Sequence, residues 1–275
     1  MRYPYTLCSG AGNRFVAIDL FQHPAPARAP ELARRLCSAP EAGGLDPRPD
    51  GLLLVARPTR GGAAAMILYN ADGSRAETCG NGLRCLAKLV SDRQHVRAEQ
   101  FMLEADAGLC PTTVQRHEGL VTHARIAMGA PRGPLLRERI RLKDGSEVEA
   151  VLVDMGNPHC VLFVSDERTA PVATLGAELE RHPRFARGTN VEFLALRDAE
   201  AHLRVFERGV GETAACGSGA CAAAIAAAWS GRARLPLKLQ LPGGELVISQ
   251  DASGGLELFG PAQIDGEGWI DWPES

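Results

Sequence analysis

Residues 207–221 read Glu-Arg-Gly-Val-Gly-Glu-Thr-Ala-Ala-Cys-Gly-Ser-Gly-Ala-Cys, and the prediction of the fold starts from this stretch. A strand-like apolar run precedes it, and an alanine-rich run at 220–229 follows it. This order places Cys216 at the start of a helix whose first free amides belong to residues 217–219. A helix start carries unpaired N–H groups and a partial positive charge. Both favour a thiolate, so we expect the pKa of this cysteine to be lowered.

The same arrangement occurs earlier in the chain, at residues 70–85. They read Asn-Ala-Asp-Gly-Ser-Arg-Ala-Glu-Thr-Cys-Gly-Asn-Gly-Leu-Arg-Cys, and Cys79 follows Asn70 at the interval at which Cys216 follows Glu207. A Gly-Asn pair lies upstream of each motif, at 12–13 and at 156–157. A single cysteine of this kind would be interpreted as an ordinary buried thiol. The repeated setting instead indicates an internal duplication and predicts two similar lobes that face one another.

Size and composition exclude several classes of protein. The 275 residues suffice for two domains, and 45% hydrophobic with 23% charged residues is typical of a globular protein. A net charge of −3 predicts no nucleic-acid or membrane-surface binding. The first ten residues lack the apolar core of a signal peptide, and no apolar run reaches the roughly 20 residues of a membrane span. We therefore expect a cytoplasmic location, where the eight cysteines would be free thiols.

The order of elements predicts an α/β fold of the α+β type. Short strands dominate, and each half has one mainly apolar helix, which is typical of a helix buried on all faces. We expect two pseudo-symmetric lobes, each a mixed or antiparallel strand barrel around a central helix, with the active site in the cleft between them. The first lobe would comprise 1–119 plus 261–275 and carry Cys79. The second would comprise 120–260 and carry Cys216.

Two cysteines on opposite sides of one carbon could invert its configuration. One sulfur, as a thiolate, would remove a proton, and the other, as a thiol, would return one to the opposite face. The amides of the two helix starts could hold a carboxylate and stabilise the developing charge. Amino-acid racemases often use pyridoxal phosphate bound to a lysine instead. Only Lys88, Lys143 and Lys238 are present, none in a phosphate-binding context, so a mechanism without a cofactor or metal is favoured.

An ordered set of motifs that spans most of the chain resembles the diaminopimelate epimerase family. The motifs are Gly12-Asn13, Asn70-Ala71-Asp72-Gly73, Cys79-Gly80-Asn81-Gly82, Gly156-Asn157-Pro158-His159, Thr189-Asn190, Glu207-Arg208-Gly209 and Cys216-Gly217-Ser218-Gly219. The resemblance implies two lobes of like fold and a two-base mechanism independent of pyridoxal phosphate. It also implies interconversion of LL- and meso-diaminopimelate, a small amino-acid substrate of lysine and cell-wall biosynthesis.

The resemblance also implies roles for individual residues. Cys79 and Cys216 would be the catalytic acid–base pair, and His159 and Glu207 would modulate their protonation. The remaining site residues would bind substrate, six through side chains and four through backbone amides: Asn13, Asn70, Asn157, Asn190, Glu207 and Arg208, with Gly80, Asn81, Gly217 and Ser218.

Three positions depart from the family pattern. Arg14 replaces a common Asp, Gly51 replaces a substrate-binding Gln of some members, and Gly266 replaces a tyrosine that often supports a homodimer. The first two keep open a related racemase or epimerase of another amino acid, such as histidine or proline. The third leaves a homodimer possible but unsupported. A metal-binding or thiol-redox protein is a more remote alternative, since the cysteine spacings do not match Cys-Xaa-Xaa-Cys pairs.

Overall fold

The computed structural model describes residues 1–76, 79–197 and 200–273. The chain divides into two units, of which the first comprises Met1–Ile126 with Gly260–Ser275 and the second Ala127–Phe259. The boundaries fall inside the strands β8 (Leu120–Gly129) and β17 (Leu256–Pro261), whereas the sequence predicts the first boundary at residues 119–120, at the turn before β8. That turn is present, with positive φ at Glu118 and Gly119.

The first unit is built mainly of strands, with two α-helices. Its elements are β1 (Arg2–Gly10), β2 (Asn13–Asp19), α1 (Ala29–Leu36), β3 (Gly51–Ala56), β4 (Ala64–Asn70), β5 (Arg75–Ala76), α2 (Gly80–Asp92), β6 (Gln100–Ala105), β7 (Gly108–His117), β8 (Leu120–Gly129, which runs past the boundary) and β18 (Gln263–Asp271). A 3-10 turn at Pro40–Ala42 lies between α1 and β3.

The second unit repeats this composition. Its elements are β9 (Leu136–Arg141), β10 (Glu147–Asp154), β11 (Pro158–Val164), α3 (Val172–Glu180), β12 (Asn190–Arg197), β13 (Glu200–Glu207), β14 (Gly211–Thr213), α4 (Gly217–Trp229), β15 (Leu237–Leu241), β16 (Gly244–Gln250) and β17 (Leu256–Pro261, which likewise runs past the boundary).

Strand pairing is the same in the two units. In the first, the hydrogen-bonded order is β18-β1-β2-β3-β4-β6-β7-β8, with β5 also on β4. In the second, it is β9-β10-β11-β12-β13-β15-β16-β17, with β14 also on β13. The parallel pairs are β2/β3 and β4/β6 in one unit and β11/β12 and β13/β15 in the other. The internal duplication predicted from the cysteine motifs therefore extends to the whole topology of each unit.

A helix lies at the centre of each unit, enclosed by the strands. In α2, every residue of 80–91 is buried, and the helix packs against β1, β3, β4, β6 and β7. In α4, the alanine-rich sequence packs against β10, β11, β12, β13, β15 and β16. Alanine favours the helix intrinsically, and its small side chain lets strands approach from all sides. The predicted strand-dominated fold with one buried helix per lobe is confirmed.

The other two helices, α1 and α3, cover the outer faces of the sheets. Leu32 and Leu36 of α1 pack with apolar residues of β2 and β3, and Val172 and Leu179 of α3 pack with β11 and β12. Helix α1 begins at Ala29, and Pro30 occupies its first turn, where a missing N–H costs nothing. No helix in the described part of the chain is long and apolar enough to cross a membrane.

The C-terminal segment returns to the first unit. Strand β18 pairs with β1, and the indole Nε1 of Trp272 donates to the Ala27 carbonyl at 2.6 Å. The N-terminal amine of Met1 donates to the Trp272 carbonyl at 2.7 Å.

Candidate active site

Cys79 is the N-cap residue of α2. Its backbone is extended, with φ −143° and ψ 107°, and the Gly82 amide donates to its Sγ at 3.4 Å. Two features of the sequence cause this geometry: Gly80 and Gly82 leave the first turn open, and the apolar run behind them continues as a helix. The sulfur therefore occupies the place of a capping oxygen, where an amide proton supports negative charge.

Asn13 and Asn81 meet beside this helix start. The side-chain amide of Asn81 donates to Asn13 Oδ1, and Asn13 Nδ2 donates to Asp50 Oδ2 at 3.3 Å. Asp50 also accepts from the Arg14 amide at 2.8 Å, so one carboxylate holds both sides of the Gly-Asn turn. Asp50 is a residue that the sequence analysis did not single out.

Asn70 lies at the end of β4, exposed, and its Nδ2 donates to Ser74 Oγ at 3.0 Å. Gly51 pairs with it across β3 and β4. A Cβ added at Gly51 would lie 2.6 Å from the Tyr69 carbonyl oxygen, which is closer than real contacts allow. The glycine that departs from the family pattern is thus required by the local backbone of this chain.

Cys216 is the N-cap residue of α4, with φ −131° and ψ 116°. Its Sγ lies 3.6 Å from Ser218 Oγ, and the residue is buried. Burial raises the pKa of Cys216 well above its usual value, and the charges of Glu207 and Glu192 raise this pKa further. The Ser218 hydroxyl and the Gly219 amide oppose this effect. The expectation of a lowered pKa is therefore wrong for Cys216, because desolvation outweighs the helix start.

A hydrogen-bonded chain leads from Cys216 into the core of the second unit. Asn157 Nδ2 donates to Ser218 Oγ at 3.4 Å, and Asn157 Oδ1 contacts His159 Nε2 at 3.0 Å. The other ring nitrogen, Nδ1, lies 2.6 Å from Glu192 Oε1. Sequence reasoning missed Glu192, although a lone glutamate inside the apolar strand Val-Glu-Phe-Leu was a usable signal.

The remaining predicted residues form a second group around the turn after β13. Asn190 Oδ1 accepts from the Arg208 amide at 3.0 Å, while its Nδ2 donates to the Pro158 carbonyl at 3.0 Å. Glu207 accepts from Thr213 Oγ1 at 2.5 Å. Asn190 therefore connects the Arg208 turn to the segment that carries Asn157 and His159.

The structure thus assembles two groups of candidate site residues, one in each unit. The first contains Cys79, Asn13 and Asn81. The second contains Cys216, Ser218, Asn157 and His159, with Asn190, Arg208 and Glu207 alongside. Asn70 hydrogen-bonds to Ser74, apart from both groups. Within the described ranges, no three His, Cys, Asp or Glu side chains cluster in a way that could hold a metal ion.

Solved structures share this two-unit fold. A PhzF-family phenazine biosynthesis protein from Bacillus anthracis superposes with a TM-score of 0.73 at 13% identity, covering 98% of this chain and 99% of that one. A probable proline racemase from Agrobacterium radiobacter K84 gives 0.71 at 16% identity, covering 98% and 93%. A hydroxyproline epimerase from Agrobacterium vitis gives 0.68 at 15% identity, covering 98% and 92%. The architecture is that of the two-unit racemases, epimerases and PhzF-like proteins.

Sequence comparison is more specific than the fold. The model of the diaminopimelate epimerase family matches residues 5–132 and 151–264. The diaminopimelate epimerase of Desulfitobacterium hafniense is 40% identical over 270 residues, covering 92% of this chain and 93% of the relative. That of Moorella thermoacetica is 39% identical over 267 residues, covering 92% and 94%. The chain belongs to the diaminopimelate epimerase family, and it is an isomerase of the epimerase class.

Proposed function

We propose that this chain interconverts LL- and meso-diaminopimelate without a cofactor, with Cys79 and Cys216 as its two proton carriers. The observation that carries the proposal is that each cysteine caps the central helix of its own unit, at equivalent places in a duplicated topology. The names of the relatives supply the substrate. Lysine and cell-wall biosynthesis is the context that this reaction implies.

The two cysteine environments differ in the way a two-base mechanism needs. Cys79 accepts a hydrogen bond from the Gly82 amide and is only partly buried, so we assign it the thiolate. Cys216 has a raised pKa, so it holds its proton at neutral pH. Such a resting state provides one base and one acid. The thiolate takes the α-proton, the C–H electron pair stays on carbon, and the thiol delivers its proton to the opposite face.

Substrate binding would use the groups that surround each cysteine. The first N–H groups of α2 and α4, at Gly80, Asn81, Gly217 and Ser218, lack partners within their helices and suit an α-carboxylate. As the carbanion forms, its charge spreads onto that carboxylate, so these amides bind the transition state more tightly than the substrate. Asn13, Asn70, Asn157, Asn190, Glu207 and Arg208 would hold the rest of the molecule.

The test is exchange and inversion in deuterated water. The wild-type chain, without added cofactor, should incorporate solvent deuterium at the α-carbon while it interconverts the two isomers. Cys79→Ala and Cys216→Ala should each lose inversion, because each face of the carbon needs its own proton carrier. Matched controls are Cys85→Ala and Cys221→Ala, which remove the second, buried cysteine of each motif. Full two-way inversion by either Cys79→Ala or Cys216→Ala would refute the two-base mechanism.

A related racemase of another amino acid is the second candidate. Gly51 and Arg14 keep it open, because Gly51 replaces a substrate-binding Gln of some family members and Arg14 replaces a common Asp. A panel of L-, D- and meso-amino acids in the same assay separates the two functions. Exchange confined to proline or histidine would replace diaminopimelate as the substrate.

We further propose a cytoplasmic enzyme that binds no nucleic acid, on the grounds of its biosynthetic role and its net charge of −3. A homodimer is proposed from the family resemblance, although Gly266 lacks the tyrosine side chain expected there. Light scattering of the purified protein measures the oligomeric state directly.

A further inference from the structure

The most deeply buried ionisable pair among the candidate site residues of the second unit is His159 with Glu192. Both side chains are 0% exposed, and Nδ1 lies 2.6 Å from Oε1. Burying such a pair is costly, because desolvation offsets the attraction between the partners. Burial raises the pKa of the Glu192 carboxyl, and His159 opposes that rise. Stabilisation of the fold therefore does not explain why this polar pair is buried here.

The first unit shows that the fold does not need this pair. The Gly-Asn pairs at 12–13 and 156–157 lead into equivalent strands, β2 and β11, so Phe15 is the counterpart of His159. In the first unit, Ala17 lies two residues after Phe15 and pairs with Leu53. In the second, Val161 lies two residues after His159 and pairs with Glu192. Leu53 is therefore the counterpart of Glu192. Phe15 is 4% and Leu53 0% exposed. Two buried apolar residues therefore occupy the equivalent positions in the unit that carries Cys79.

The hydrogen bonds assign the protons of this network. Asn157 Oδ1 can only accept, so His159 Nε2 carries a proton. The short contact between Nδ1 and Glu192 holds a second proton, and the pair is neutral overall whichever atom carries it. The Asn157 orientation then leaves Nδ2 to donate to Ser218 Oγ. The Ser218 hydroxyl proton is left free to donate to Cys216 Sγ.

We propose that Glu192 is a positioning residue that acts through His159 to hold Asn157 and Ser218 in the orientation that serves Cys216. The proposal rests on the proposed function, since it deepens the role of the same site. Glu192 also lies directly beneath the cysteine motif. A Cβ added at Gly219 would be 2.8 Å from Glu192 Oε1 and 3.4 Å from Cys216 Sγ.

Three variants separate positioning from simple packing. Glu192→Gln keeps a donor for Nδ1 and therefore keeps Nε2–H, so its kcat should fall by about threefold or less. Glu192→Leu leaves Nδ1 without a partner, and its kcat should fall about tenfold or more, the value of one hydrogen bond. The double variant His159→Phe with Glu192→Leu recreates the apolar pair of the first unit. It should fold with at least wild-type stability and yet lose activity as Glu192→Leu does.

The state of His159 is read without turnover, by nitrogen-15 NMR of its ring. Wild type and Glu192→Gln should show a protected Nε2-bound proton, and Glu192→Leu should lose that protection. Glu104→Leu serves as the control, because Glu104 is similarly buried in the first unit and should leave the His159 signals unchanged.

Two results would overturn the positioning role. One is a Glu192→Leu variant with wild-type kcat and an unchanged His159 spectrum. The other is a Glu192→Gln variant as impaired as Glu192→Leu despite a retained Nε2–H, since charge rather than hydrogen bonding would then matter. The NMR result is independent of substrate. A chain that shows the expected His159 signals but no epimerisation would refute the proposed function and leave the positioning role standing.

Discussion

Gly82 and Gly219 occupy the same place in the two cysteine motifs, and we expect replacement by alanine to have opposite effects. At Gly82, an added Cβ would lie 3.2 Å from Met66 Sδ and 3.5 Å from Cys79 Cβ. The thioether is the flexible end of a side chain and can move. At Gly219, the added Cβ would lie 2.8 Å from Glu192 Oε1, and that carboxyl is held by His159 in the core.

Two opposing effects, helix propensity and overpacking, set the expected changes in the free energy of unfolding. Alanine is favoured over glycine inside a helix by up to about 1 kcal/mol. Gly82→Ala should therefore leave the free energy of unfolding unchanged or raise it by up to about 1 kcal/mol. Overpacking at a rigid site costs about 1–3 kcal/mol, so Gly219→Ala should lower that free energy on balance. Displacement of the Cys216 sulfur from its working position should lower kcat by roughly 10²-fold.

Urea unfolding measures the change in stability, and epimerase assays on the same preparations measure the change in kcat. Gly82→Ala is the matched control, because it makes the same chemical change at the equivalent helix position. If Gly219→Ala kept wild-type kcat and stability, the close packing of Glu192 under the Cys216 motif would be wrong. If Gly82→Ala were the more damaging variant, the contrast between the rigid and the flexible neighbour would be wrong.

Two further predictions concern the first unit. Glu104 accepts hydrogen bonds from the amides of Thr59, Arg60 and Gly62, which hold its pKa at about 2 against the opposing effect of burial. Because the pKa of Glu104 is lowered in the folded state, the ionised carboxylate stabilises the fold above the unfolded-state pKa of about 4, and this stabilisation is lost as the pH falls towards 2. Glu104→Gln should therefore reduce the dependence of the free energy of unfolding on pH in acid. An unchanged dependence would contradict this role of Glu104. Gly51→Gln should destabilise the β3/β4 pairing, because its Cβ would lie 2.6 Å from the Tyr69 carbonyl oxygen. We expect a lower melting temperature than that of the wild type. An unchanged melting temperature would show that the backbone moves to accommodate the side chain.

The positions of the two cysteines could be predicted from the sequence because their causes are local. A strand-like run, a glycine-rich turn and a run of helix formers follow one another within about 25 residues at each site. These neighbours alone place Cys79 and Cys216 at helix starts. The repeat of the same pattern predicted the duplication, and the topology of the two units agrees with it. The short strands β5 and β14 escaped prediction, since two or three residues carry no periodicity.

The local sequence by itself determined where each central helix begins and which residue caps it, because capping depends on neighbours along the chain. Only the tertiary structure decided what surrounds each cap. Glu192 reaches His159 through the parallel pairing of β11 and β12, across a separation in sequence of 33 residues. The pKa of Cys216 is raised rather than lowered because burial comes from strands far away in sequence, and desolvation there outweighs the helix amides.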